Sequence, residues 1–221
     1  MTESAGPMKL YTYWRSTASY RVRIVLELKG IEVEHVSVHL AHRDGGQQHS
    51  DAYGAINPGH TVPSLVLDDG TAIIQSLAII SYLDEICPEP ALLPSDLVER
   101  AKVRTAAQLI ACDVHPLNNL RVLKYLKQQL GHDDNETLAW MTNWMQRGFS
   151  AFQALVRTDT KFCFGDQPGL ADVCLVAQLY NAHRWGINLV EFSRLSEIKH
   201  NCRAFPAFIN SHPDQQPDAE K

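Results

Sequence analysis

No stretch of this 221-residue chain approaches the roughly 18 consecutive apolar residues that a membrane-spanning helix needs. Residues 1–7 carry the acidic Glu3 and no apolar core of a secretory leader, so the expected setting is the cytoplasm. Cysteine is sparse: Cys87, Cys112, Cys163, Cys174 and Cys202 form no C-x-x-C pair and no metal-ligand spacing. That excludes a dithiol redox centre and a cysteine metal site, and leaves free thiols or small buried hydrophobes. Charge of one sign is lacking too. The net charge is −5 without a long charged run, which argues against nucleic acid or an acidic membrane surface as the main partner. Small molecules are the partners left, and the length suits two domains without internal repeats.

What is present begins with a strand, Lys9 to Tyr13, and a helix, Ala18 to Lys29, whose stop signal is Gly30. Val36, Val38 and Leu40 then alternate with Ser37 and His39, a second strand that completes βαβ. Pro63 to Leu67 and Thr71 to Ile74 flank Asp68-Asp69-Gly70, the signal of an antiparallel hairpin. Ser76 opens an amphipathic helix through Ile79, Leu83 and Ile86 that ends before Pro88. Pro88, Pro90 and Pro94 mark a boundary, after which only helical periodicity is found. The expected domains are residues 8–90 and an all-helical 97–212. A long helix carries Ile110, Val114, Leu117, Leu120 and Leu123, with Pro116 expected to disturb it; helices over Glu136–Val156, Leu170–Arg184 and Leu195–Ala204 follow. The tail after His212 reads as mobile.

The junction Ser16-Thr17-Ala18-Ser19-Tyr20-Arg21 is where chemistry is expected. Unpaired N–H groups and the positive end of the helix dipole favour an anion there, and a hydroxyl beside them can stabilise a thiolate. The chain has no cysteine at this point, so the sulfur would arrive with a cofactor, glutathione being the obvious soluble thiol. An ordinary Ser N-cap is the plain alternative.

Ser16 through Ile24, together with Gly46-Gln47-Gln48, Asn57-Pro58, Val62-Pro63, Gln75-Ser76-Leu77-Ala78-Ile79-Ile80 and His115-Pro116-Leu117-Asn118-Asn119-Leu120, resembles the zeta class of the cytosolic glutathione transferases. The resemblance covers nearly the full chain. It implies a thioredoxin-like α/β domain followed by an all-α domain, a homodimer, and no metal. It implies glutathione held by Ser16, Thr17, Gln48, Val62, Pro63, Gln75, Ser76, His115, Asn119 and Arg121, with Ser16 and Thr17 at the thiol. A dicarboxylate substrate would meet Arg15, Arg121 and Arg184. The implied activity is glutathione-dependent cis–trans isomerisation of maleylacetoacetate to fumarylacetoacetate in tyrosine catabolism, by reversible thiolate addition. Isomerisation of maleylpyruvate and action on 2-haloacids are the class's alternatives.

Each assignment has a plainer reading. Pro63 can be a strand-initiating proline, with a cis bond expected from the fold; Ser76 can be an N-cap, Gln48 a solvated loop residue, His115 a structural histidine sharing a helix face with Asn119, and each arginine a surface ion pair. Two departures stand out. Ala18 replaces the class cysteine, and Gly169-Leu170-Ala171-Asp172 replaces a Ser/Thr-x-x-Asp capping box, at an expected cost of a few tenths of a kcal/mol.

Overall fold

The computed structural model describes residues 7–41 and 45–220. Two units emerge: the described residues up to Pro90 together with those from Phe205 onward, and Ala91–Ala204. Residues 205–212, which the sequence reading groups with the all-helical domain, cluster here with the first unit.

The first unit runs β1 (Lys9–Thr12), α1 (Thr17–Lys29), β2 (Glu34–Ser37), α2 (Asp51–Ile56), β3 (Ser64–Val66), β4 (Ala72–Ile74) and α3 (Ser76–Ile86), and is completed by α10 (Pro206–Asn210). Strand order is β2-β1-β3-β4, with β1 parallel to β2 and antiparallel to β3, and β3 antiparallel to β4. This is the thioredoxin-like arrangement expected from the βαβ–ββα pattern. The turn chemistry is as the residues dictate. Gly30 takes the left-handed conformation (φ 62°) and its N–H closes on Glu27 and Leu26 carbonyls, while Gly70 (φ 85°) turns the hairpin with Asp69 accepting from Thr71 N–H.

β2 begins earlier than the alternating residues indicate, at Glu34, and ends at Ser37. Val38 N–H still bonds Thr12 O at 2.7 Å, so the strand direction continues past the regular ladder. Leu10, Val22, Ile24, Val25, Leu65, Ile79, Ile80 and Leu83 are buried at the centre of this unit. Ile86, by contrast, lies at the exposed end of α3. The segment after His212 makes local structure: Pro213–Gln215 forms a 3-10 turn, and Gln216 Nε2 donates to Asn210 O and His212 O.

The second unit contains α4 (Leu97–Gln108), a π-helical stretch Leu109–Val114, α5 (His115–Leu117), α6 (Leu120–Gln128), α7 (Asp134–Leu155), α8 (Leu170–Arg184) and α9 (Ser193–Cys202). The disturbance expected of Pro116 takes this form: proline lacks an N–H and crowds the preceding turn, the ladder widens over 109–114, and the helix breaks at Asn118-Asn119. Met141, Met145, Phe149, Phe152, Val173, Leu175, Leu195 and Ile198 form the core here. Among the described residues no helix is long and apolar enough to cross a membrane.

The start of α8 explains the glycine where the class has Ser or Thr. Asp172 is fully buried, accepting from Gly169 N–H and Cys163 N–H at 2.9 Å each, and burial pushes its carboxyl above the usual range despite those bonds. A Cβ on residue 169 would lie 2.8 Å from Leu92 O, the carbonyl that accepts Leu170 N–H. The glycine is thus imposed by close backbone approach. Gly169→Ser is expected to destabilise by about 1–3 kcal/mol in urea unfolding, since overpacking against a backbone outweighs a regained cap. Stabilisation by a few tenths would show instead that the loop at Leu92 yields.

Candidate active site

The turn from β1 into α1 is built by one buried cation. Arg23 reaches back from α1, its Nη1 donating to Thr12 Oγ1 (3.1 Å) and Tyr13 O (3.3 Å), its Nη2 to Trp14 O (3.0 Å) and its Nε to Ser211 O (3.3 Å). Ser16 N–H closes the turn on Tyr13 O at 2.9 Å. α1 starts at Thr17, one residue before the sequence pattern suggests, with Ser16 as its N-cap. Ser16 Oγ accepts from Ser19 N–H at 3.1 Å. The plain cap reading and the chemical one are therefore compatible, because a serine oxygen that accepts a cap bond keeps its own hydrogen to donate. Thr17 is buried beside it, and Arg15 stacks over the Trp14 ring with its guanidinium carbon 4.1 Å from the centroid.

α3 begins beside this turn through α1. Arg21, only 1% exposed, donates from Nη1 to Ser76 Oγ at 3.3 Å, so the starts of α1 and α3 are tied by a buried guanidinium. Gln75 before it is exposed, holds φ 73°, and makes no side-chain cap bond. Neither helix has an acidic residue in its first turn. Two helix N-termini and a buried cation thus build one electropositive edge.

Val62–Pro63 is cis, as expected from the fold. The segment in front of it is held by side chains: Thr61 O accepts from Tyr53 Oη (2.6 Å) and Asn57 Nδ2 (2.7 Å), and Asn57 Nδ2 also donates to Ser64 Oγ (3.1 Å) while its Oδ1 accepts from Gly59 N–H (2.9 Å). Burial pushes the Tyr53 phenol above its ordinary value, which keeps it a donor. Gln48 is buried, not solvated. Its Nε2 approaches Leu40 O at 3.4 Å, and its Oε1 has no hydrogen-bond partner among the described residues.

The remaining candidates belong to the second unit. His115 is half-buried in α5. The sequence put it on one helix face with Asn119, but the break after Leu117 removes that relation: Asn119 is extended (ψ 146°) and caps α6, accepting from Arg121 N–H at 3.2 Å. Asn118 Nδ2 donates to Val114 O at 2.7 Å, satisfying a carbonyl at the end of the π-helical stretch. Arg121 is exposed, and Arg184 is exposed with its guanidinium carbon 5.0 Å from the Trp185 ring centroid. A cavity of ≈320 Å³ in the first unit, lined by Arg23, Glu27, His35 and Ser211 among others, opens towards the other end of α1 from Ser16. Sequence reading gave no role to Arg21, Arg23, Tyr53 or Asn57; Arg21 and Arg23 lie in the Ser16–Ile24 motif and Asn57 in Asn57-Pro58, while Tyr53 carried no signal.

Residues 10–91 match the family model described as glutathione S-transferase, N-terminal domain. Maleylacetoacetate isomerase of Pseudomonas aeruginosa is 49% identical over 96% of this chain and 98% of its own. A holo maleylpyruvate isomerase, described as a bacterial zeta-class glutathione S-transferase, superposes with a TM-score of 0.91 at 40% identity, covering 96% of this chain and 100% of the other. Maleylacetoacetate isomerase of Methylobacterium extorquens, solved with malonate and GSH bound, gives 0.90 at 36% identity over 96% of this chain and 100% of that one. The chain belongs to the zeta-class glutathione transferase family.

Asn57→Ala is expected to destabilise by about 1–3 kcal/mol in urea unfolding, because Gly59 N–H and the Thr61–Ser64 segment lose their shared partner in a buried setting. An unchanged midpoint would mean that Tyr53 alone anchors this segment.

Proposed function

We propose that the protein is a glutathione-dependent isomerase that converts maleylacetoacetate to fumarylacetoacetate. The observation that carries this is the pair of helix starts, α1 at Ser16 and α3 at Ser76, tied by buried Arg21. The residues fit glutathione. Its γ-glutamyl carboxylate calls for N–H groups that no side chain caps and no acid opposes, which is the condition of α3; its sulfur calls for an unspent donor, which Ser16 Oγ retains. Relatives named maleylacetoacetate isomerase and the neighbour holding malonate and GSH support the substrate class.

Bound glutathione supplies a thiolate that adds reversibly to a double bond conjugated with a carbonyl, the chemistry that lets a cis bond rotate to trans. Ser16 donates its hydroxyl hydrogen to the sulfur, and the α1 dipole favours the same ionised form, so both raise the thiolate fraction at neutral pH. Thr17 lies beside it at the start of α1. Gln75 and Ser76 receive the γ-glutamyl carboxylate, Val62 ahead of Pro63 offers its backbone to the cysteinyl peptide, and Gln48, whose buried Oε1 seeks a donor, takes the glycyl end. Arg15 binds a substrate carboxylate next to Ser16; the family resemblance adds Arg121 and Arg184 as further carboxylate ligands, and His115 and Asn119 as glutathione contacts. The proposed assembly is a homodimer in the cytoplasm, in keeping with five free thiols.

A second reading is favoured by a specific observation, the 0.91 TM-score to a maleylpyruvate isomerase. Turnover of maleylacetoacetate and of maleylpyruvate, each with and without glutathione, separates the two by the ratio of kcat/KM. Ser16→Ala is expected to lower the glutathione-dependent kcat/KM about 10- to 100-fold, the worth of a hydrogen bond to a charged group. No turnover of either compound with glutathione present would overturn both readings. In the Arg121→Met, Arg184→Met double variant, KM for the dicarboxylate is expected to rise about tenfold or more; unchanged KM and kcat would end that assignment.

A further inference from the structure

The segment beyond His212 was expected to be mobile, yet it carries two carboxylates onto the two loops that the proposed glutathione site depends on. Asp218 Oδ2 accepts from Trp14 N–H at 3.0 Å and from Ser37 Oγ at 3.1 Å. Trp14 is two residues before Ser16 in the turn whose other side is fixed by Arg23, through Tyr13 O and Trp14 O. The turn is therefore gripped on both sides: its carbonyls by a buried guanidinium, its Trp14 N–H by a carboxylate. Ala219 packs against the cluster of Tyr13, Trp14, Val38, Tyr53 and Val62, which also contains the residue before the cis proline.

Glu220 serves the neighbouring loop. Its Oε1 lies 2.6 Å from His39 Nε2, while His39 Nδ1 accepts from Ala41 N–H, so Nε2 is the nitrogen that carries the hydrogen and donates. His39 is in turn paired with the residue before Gln48: its N–H donates to Gln47 Oε1 and its O accepts from Gln47 N–H, both at 2.8 Å. The same hydrogen bond from His39 holds the Glu220 carboxyl below its usual range.

We propose that Asp218 and Glu220 are positioning residues, a strap that sets the Trp14–Ser16 turn and the His39–Gln47 pairing and so aims Ser16 Oγ and the neighbouring Gln48 at the thiol cofactor. The inference deepens the proposed glutathione chemistry and rests on it. Neither carboxylate touches cofactor or substrate; Asp218 acts through Trp14 N–H, and Glu220 through His39 and Gln47. A strap of this kind makes the precise placing of a loop hydroxyl independent of the loop's own short sequence.

The test compares the unaltered 221-residue chain with Asp218→Ala, Asp218→Asn and Glu220→Ala. Asparagine keeps an amide oxygen that can accept from Trp14 and Ser37, so it is the rescuing variant. In the ligand-free protein, hydrogen exchange at the Trp14 amide is expected to accelerate about tenfold or more in Asp218→Ala and to stay near wild type in Asp218→Asn. With glutathione bound, the thiolate absorbance followed against pH is expected to show a higher thiol pKa in Asp218→Ala. Its kcat/KM should fall about tenfold through kcat, with both properties restored in Asp218→Asn. Glu220→Ala is expected to raise the Kd for glutathione about threefold or more. Unchanged Trp14 exchange in Asp218→Ala, or faster exchange with unaltered thiol ionisation and kcat, overturns the strap. If wild-type protein itself neither lowers the thiol pKa nor turns over, the functional reading fails, and the thiol part of the strap with it; Trp14 exchange still reports the grip.

Discussion

A guanidinium with four acceptors, sealed from water inside the first unit, is the interaction on which the rest of this structure depends. Arg23 is 2% exposed, and its burial would be prohibitive without Thr12 Oγ1, the Tyr13, Trp14 and Ser211 carbonyls, and the surrounding dipoles. Those acceptors belong to the end of β1, to the turn that follows and to the segment after α10. One side chain therefore joins the β1–α1 turn that bears Ser16 to a segment 188 residues beyond Arg23 in the sequence. Because guanidinium presents its donors as a rigid fork, the acceptors must hold their places; the turn has little freedom to wander.

Arg21, two residues before Arg23 in α1, uses the same kind of burial for electrostatics. Through Ser76 Oγ it brings a fixed positive charge to the start of α3, where Gln75 has an unusual backbone and no side chain caps the first turn. A helix start left uncapped is a small cost to stability that an arriving carboxylate can offset. Ser16 resolves the competing demands at α1 differently, spending a lone pair on Ser19 N–H and keeping its hydrogen.

Much of the scaffold was legible because it rests on local chemistry. Gly30, the Asp68-Asp69-Gly70 hairpin and the Ser76 helix start each act within a few residues, and the structure repeats them. Other features were hidden for physical reasons. Charged residues count as solvent-facing in any periodic pattern, so nothing marked Arg21 and Arg23 as buried. Pro116 announced a disturbance but not its shape, because whether a helix kinks or widens depends on what packs around it. Gly169 looked like a weakened cap until Leu92 O, more than seventy residues earlier, was seen to occupy the space of its Cβ. Asp218 and Glu220 lay in a polar, proline-bearing stretch that reads as tail by composition alone.

The return of residues 205–220 to the first unit has a consequence for how the chain is made. Tyr20 Oη donates to Phe208 O at 3.2 Å and Arg23 Nε to Ser211 O, so these two hydrogen bonds of α1 form only after residues 205–211 have been synthesised. On a ribosome the sheet, α1 and α3 emerge early, while the piece that satisfies them emerges after the whole helical unit. The first unit is therefore completed after the helical one, and a nascent chain stalled before Phe205 presents uncovered the face of α1 on which α10 packs.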